Sequence, residues 1–239
     1  MSELLEQVIA AHGGRNRWQQ LKTVTAHVAI GGTLWQLKGW PDVFANAKVL
    51  VDPHRPHTEY TSFNKAGGHT LFEPDRVAVV GVGGKDNNAR EAPRDAFSGH
   101  AIATPWDPLH LAYFSGYAMW TYLTTPFLLS LPGFRTIEIE PWNENGETWR
   151  RLKATFPADV PSHSREQTFY FDASGILRRH DYCVDVIGGS ASANYAQEPK
   201  TFGGIVYPTK RRVYAVGPDN RPNLDRVAVA IDFHSIEPG

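Results

Sequence analysis

The sequence predicts a mainly β, α+β protein forming one domain over residues 1–239. Its expected core is a large curved antiparallel sheet closing partway into an unclosed barrel, with an aromatic helix in the concavity and two short helices at the N-terminus. Three observations carry this. Apolar alternating segments follow one another at hairpin spacing, and parallel pairing would need crossover helices that the pattern lacks. The 17 Pro and 21 Gly residues supply the turns such hairpins require. One uncharged stretch, PWDPLHLAYFSGYAMWTYLTTPFLLSLPGF at 105–134, is the candidate long helix; a sheet of about ten strands tends to curl, and one helix can fill its inside.

The elements follow in order. Ser2 caps a first helix whose Leu4, Leu5, Val8 and Ile9 recur at helical spacing, and Gly13 and Gly14 stop it. A short second helix carries Trp18 and Leu21. TVTAHVAIGG and LWQLKGW then read as strands ended by Gly or Pro. FANAKVLVDPHRPHTEYTSF gives two strands broken at Asp52, Pro53 and Pro56, and LFEPDRVAVVGVGG a hairpin-like pair. Residues 85–104 are polar and contain Pro, a loop long enough to serve as a functional rim. Beyond Phe134 come hairpins around residues 143–146 and 172–175, then the strands IVYPTKRRVYAV and VAVAIDFHSI separated by GPDNRPN.

The opening helix, the Gly-Gly break, the Trp18-x-x-Leu21 turn and the hairpin FYFDASGILRRHDY resemble the bacterial outer-membrane lipoprotein carrier (LolA/LolB-like) superfamily. The likeness is one of element order over most of the chain. It implies an unclosed antiparallel barrel over internal helices, with an acyl-chain ligand in the concavity.

Composition narrows the function classes. A net charge of -1 gives no electrostatic footprint for nucleic acid. The pairs Arg150-Arg151 and Arg178-Arg179 and the run Lys210-Arg211-Arg212 lie on expected strands and read as solvated faces. A single cysteine, Cys183, excludes an intrachain disulfide and reads as an inert buried thiol. MSELLEQ places acid where a secretory signal carries basic charge, so a cytoplasmic location is expected. Residues 108–131 are long enough to cross a membrane, but their prolines, His and hydroxyls suit burial within protein, so no transmembrane segment is expected. VGVGGKDN reads as a turn without a phosphate cradle, and no GxSxG elbow exists. His54 and His57, with Asp52 or His69, have loose metal-ligand spacing, and solvated loop histidines are the expected outcome. No cofactor and no metal are expected.

Asp107 before Pro108 is a helix start signal. His110, Tyr113, Phe114, Tyr117, Trp120 and Thr121 share one stripe of the helix, and Leu109, Ala112, Gly116, Met119 and Leu123 the next. Tyr and Trp combine an apolar body with a polar atom that needs a partner, so Trp106, Tyr113, Tyr117 and Trp120 are the candidate ligand contacts. Candidate acid–base groups are His100, Asp107 and His110 around the helix start, and His180 with Tyr182 on one strand face. Asp232 and His234 should face solvent, opposite Val227, Val229, Ile231 and Phe233. The expected function is binding of a hydrophobic small molecule or lipid-like ligand in the concave face. The alternative is a cofactor-independent lyase, isomerase, cyclase or hydrolase acting on such a molecule. The sequence leaves the ligand's identity and the oligomeric state open.

Overall fold

In the computed structural model, which describes residues 2–63, 68–81 and 88–239, the chain opens with α1 (Glu3–Ala11) and α2 (Arg15–Gln19). The Ser2 hydroxyl accepts the Leu5 N–H, and Leu4, Leu5, Val8 and Ile9 bury the inner stripe of α1. Then come β1 (Val24–Gly31), α3 (Thr33–Leu37), β2 (Ala47–Val51), β3 (Thr58–Phe63), β4 (Gly68–Glu73), β5 (Arg76–Val80) and β6 (Asn88–Glu91). The long helix is α4 (Pro108–Thr124). After it run β7 (Arg135–Glu144), β8 (Glu147–Thr155), β9 (Glu166–Phe171), β10 (Leu177–Val184), β11 (Ser190–Phe202), β12 (Ile205–Ala215) and β13 (Val229–Pro238).

Among the described residues the thirteen strands form one antiparallel sheet in the order β6-β5-β4-β3-β2-β1-β13-β12-β11-β10-β9-β8-β7. The chain is thus two meanders joined at a central seam, where Val24 pairs with Pro238 and Ile30 with Ile231. The free edges, β6 and β7, are consecutive in sequence. The segment between them must travel from one edge of the sheet to the other, and α4 makes that crossing on the concave side.

Asp107 Oδ1 accepts the His110 N–H at 2.8 Å and Pro108 occupies the first helical position, so α4 starts where the sequence predicts. Every residue from His110 to Thr124 is buried, as expected for a helix wrapped by a curved sheet. Its closest approach is to β4. A Cβ on Gly116 would lie 2.4 Å from Phe72 Cβ, so only glycine permits this packing. The β2–β3 region is also hydrogen-bonded to α4: Thr58 Oγ1 donates to the Gly116 carbonyl at 2.9 Å, and Trp120 Nε1 donates to the Asp52 backbone carbonyl at 3.0 Å.

Several expectations are corrected. LWQLKGW is not a strand: its first half belongs to α3, because a five-residue apolar helix and a short strand share a pattern. The loop expected over 85–104 contains β6, while its residues 85–87 and most of the glycine-rich turn VGVGGKDN lie outside the described residues. The thirteen-residue β11 escapes the sequence reading altogether. Cys183 is exposed, because a register shift between Leu177 and Arg179 turns His180 and Tyr182 inward. Two of the arginines read as solvated, Arg179 and Arg211, are buried, whereas Arg150 and Lys210 are half-exposed in ion pairs with Glu138 and Glu198, and the more sheltered Arg212 pairs with Asp232. No helix among the described residues is long and apolar enough to cross a membrane.

Candidate functional site

The helix α4 packs closely on the β2–β6 half of the sheet and leaves a gap toward the seam and the β10–β12 strands. That gap is a cavity of about 200 Å³. From α4 it is lined by Phe114, Ser115, Ala118, Met119 and Tyr122, of which Phe114 belongs to one stripe read in the sequence and Met119 to the other. Ser115 and Ala118, small residues on an otherwise bulky helix, create the room. The opposite wall is Ile30, Ile231, Val229 and Val213, with Tyr182, Val184 and Ser192 closing one side.

The mouth is formed by α3 and the segment preceding α4. Gly32, with φ of 114°, approaches Ala228 so closely that a Cβ would lie 2.4 Å from its carbonyl oxygen, and this turn aims α3 across the opening. Leu37 and Ile102, 45% and 44% exposed, both line the cavity, as does the exposed Arg226. Lys38 fixes the second lip. Its buried ammonium donates to the Ala101 and Thr104 carbonyls at 3.1 and 3.0 Å and stands 4.5 Å above the Trp106 ring. Burial draws its pKa down to about 8.

One side of the cavity carries a chain of polar groups. Tyr117 Oη lies 3.3 Å from His163 Nδ1, His163 Nε2 lies 2.9 Å from Tyr122 Oη, and Tyr122 Oη lies 2.7 Å from Tyr182 Oη. The Tyr182 ring stacks on His163 at 3.9 Å. Burial, reinforced by the positive Arg94, depresses the His163 pKa to about 3, so the ring is neutral with one N–H. His163 therefore donates through one ring nitrogen and accepts through the other, linking Tyr117 to Tyr122, and either of the Tyr122 and Tyr182 hydroxyls can donate to its neighbour.

Behind this chain lie Asn194, His180 and Arg211. Asn194 is completely buried beside the Tyr122 and Tyr182 hydroxyls, near enough for its amide to act on both. His180 Nε2 contacts Gln167 Oε1 at 2.6 Å, and its Nδ1 is unpaired. Burial and the positive Arg211 push His180 well below the usual histidine range. The Arg211 guanidinium lies 4.6 Å from the Tyr122 ring centroid and donates through Nη2 to the Tyr122 carbonyl at 3.1 Å.

Of the residues the sequence nominates, Tyr182 lines the cavity and His180 touches Tyr182 ring to ring at 4.8 Å. Trp106, Tyr113, Tyr117 and Trp120 lie outside the lining. Trp106 packs under Lys38 and against Phe114, Tyr113 against Phe72 and Phe97, Tyr117 on His163, and Trp120 is bound to Asp52.

His100, Asp107 and His110 do converge, with the two imidazoles 4.8 Å apart, but away from the cavity. Here they serve the helix start. Asp107 caps α4 and pairs with Arg90 at 2.6 Å; His110 Nδ1 accepts the Asp107 N–H at 3.2 Å and Nε2 contacts the Ala96 carbonyl at 3.1 Å. Burial raises the Asp107 pKa, but the hydrogen bonds from Arg90 and the His110 N–H outweigh it and hold the carboxyl below its ordinary range. Burial, with the neighbouring His110, lowers His100.

Asp232 and His234 point away from the buried Val229, Ile231 and Phe233, as expected. The histidines tested as metal ligands are engaged elsewhere: His54 contacts the Leu21 carbonyl at 2.9 Å, and His57 contacts Glu59 and Glu73. His163, Asn194 and Arg211 are the site residues that sequence reasoning missed. For Arg211 the available signal was strand alternation with the apolar Tyr207 and Val213, which puts it on the inner face.

No protein-family model matches the sequence, and a search of curated proteins finds no match. Solved structures do match in fold. The chain is similar to a LolA superfamily protein, NE2245, from Nitrosomonas europaea, with TM-score 0.53 and 9% identity over 99% of this chain and 92% of that one. A DUF1329 family protein from Desulfovibrio piger gives TM-score 0.57 and 10% identity, covering 98% and 91% of the two chains. A candidate outer membrane lipoprotein-sorting protein domain from Vibrio parahaemolyticus gives 0.58 and 11%, covering 99% and 91%. With its unclosed thirteen-stranded sheet, crossing helix and short N-terminal helices, the chain has the LolA-like fold.

Proposed function

We propose that this protein binds a hydrophobic, lipid-like small molecule in the cavity between α4 and the β10–β13 strands. The carrying observation is the cavity itself, whose wall is apolar on most sides and whose mouth is bordered by the half-exposed Leu37 and Ile102. An apolar pocket with a few converging polar groups is the usual form of a small-molecule site. Each methylene moved from water into such a wall contributes about 0.8 kcal/mol. Similarity of fold to a candidate lipoprotein-sorting domain supports the same reading. The polar chain on one wall orients the ligand. His163 is held neutral, and burial keeps the Tyr122 and Tyr182 hydroxyls protonated, so these groups donate and accept hydrogen bonds and are poorly placed to exchange protons near neutral pH.

Native mass spectrometry of freshly purified protein tests this directly. A co-purifying apolar molecule is expected, and Ala118→Phe, which fills the cavity from α4, should release it while circular dichroism stays unchanged. Retention of the molecule by the folded variant would place its site elsewhere.

A further inference from the structure

Beside the cavity's polar end, behind Tyr122 and outside the lining itself, lies a charge that the protein leaves unbalanced. Arg211 is 1% exposed, its Nε and Nη1 have no partner, and no carboxylate among the described residues pairs with it. The contrast with Arg179 is direct. That guanidinium is equally buried, on the other face of the sheet, and is held by Asp181 at 2.6 Å and Glu144 at 2.9 Å. A guanidinium stays charged in a protein interior, and taking it out of water is costly unless an anion and hydrogen-bond acceptors replace the water. Arg211 has one backbone carbonyl and one aromatic ring.

Its position relates this deficit to the cavity. Arg211 pairs across the sheet with Ile231 and lies two residues from Val213, and both of these line the cavity. The Tyr122 side chain beneath the guanidinium is also part of the wall. On the neighbouring strands, Asn194 and His180 are paired with each other in register, and His180 Nδ1 has no partner among the described residues. Tyr182 lines the cavity at the end of its hydrogen-bond chain. A buried positive charge and hydroxyl, amide and imidazole groups therefore collect beside one end of an otherwise apolar space, and no anion among the described residues balances the charge.

We propose that the molecule held in the cavity is a monocarboxylic acid with an apolar chain, its carboxylate accepting the Tyr182 O–H and its charge balanced by Arg211. This rests on the reading of the cavity as a ligand site. One guanidinium balances one negative charge, which favours a carboxylate over an alkyl phosphate carrying up to two. The other cation at the cavity, Arg226, is exposed at the mouth, where water screens it, so the desolvated Arg211 dominates recognition.

Calorimetric titration near neutral pH with decanoic acid and with its uncharged methyl ester separates the possibilities. The native protein should bind the acid about tenfold or more tightly than the ester, the range of a charge-assisted hydrogen bond. Arg211→Met should erase that preference while ester binding persists, which also certifies the fold. Tyr182→Phe should weaken the acid alone, and it carries the test by itself if Arg211→Met does not fold. Arg226→Met should change neither ligand. Equal binding of acid and ester by the native protein overturns the proposal, as does a preference that survives both Arg211→Met and Tyr182→Phe or disappears with Arg226→Met. If neither compound binds the native protein, the reading of the cavity as a ligand site fails, and the head-group assignment with it.

Discussion

The two flanks of α4 are built on opposite principles. Toward β2–β6 the helix is in direct contact: Gly116 meets Phe72 with no room for a methyl group, and the hydroxyls of Thr58 and Tyr60 end on helix carbonyls. Toward β10–β13 there is empty volume, a hydrogen-bonded file of tyrosines and a histidine, and an arginine with no counter-ion among the described residues. The first flank secures the helix by close packing, which is how protein interiors gain stability. The second gives up packing and leaves polar groups incompletely satisfied, a pattern expected where a site takes precedence over stability. One helix thus serves as core on one side and as pocket wall on the other.

Mutation should separate the flanks sharply. The largest effect is expected from Phe72→Ala, which removes the contact on the packed side and should lower the unfolding free energy by about 3–5 kcal/mol in urea titration. Gly116→Ala should cost about 1–3 kcal/mol by overpacking. Combining it with Phe72→Ala should cost less than the sum, because the truncated ring vacates the space the new methyl needs.

The polar flank should reveal itself in acid. His163 drops from the ordinary 6.5 to about 3 and His12, at the end of α1, to about 4, while His180 falls in the same direction, burial being the largest cause in each case. Below pH 6.5 the unfolded chain binds protons that the folded chain refuses. Stability is therefore fully present above that pH and declines as pH falls toward the folded values, by up to about 1.4 kcal/mol per pH unit for each histidine. His163→Phe should flatten the decline between pH 6.5 and 5, read from denaturant midpoints; an unchanged slope would mean that His163 is solvated. The smallest effect belongs to Arg211→Met. Removing an unpaired buried charge should leave the ligand-free protein as stable or raise its stability by about 1 kcal/mol, the opposite sign to Phe72→Ala.

What the sequence disclosed divides along the same line. Ser2 before α1, Asp107-Pro108 before α4, and the turns near Asn143 and Asp172 are local signals, and each marks an element boundary as expected. The helix α3 has five residues, too few for a period to show. The strand β11 begins with Ser, Ala, Ser, Ala and Asn, residues poor in intrinsic strand preference, and owes its extended form to partners on both sides. The candidate site was half legible. Tyr182 and His180 drew notice from residue type and alternation, but the contacts that define the site join Tyr122 to partners 41, 60 and 89 residues away. Nothing in a local window marks His163, in the link between β8 and β9, as a neighbour of Tyr117. The aromatic helix was correctly seen as central, but the residues that make room on it are its small ones, Ser115 and Ala118.

The seam between β1 and β13 has a bearing on how the molecule is made. Each meander consists of neighbouring strands that can pair as they emerge during synthesis, at little cost in loop closure. The seam joins Val24 to Pro238, and the Gly239 carbonyl accepts the N–H groups of Lys22 and Thr23, so it forms only after β13 has been made. Ile30 belongs to the first meander, while Val213, Val229 and Ile231 belong to the second. The pocket therefore needs both meanders: until β13 has docked on β1, neither half of the chain by itself holds the cavity in which a ligand could be trapped.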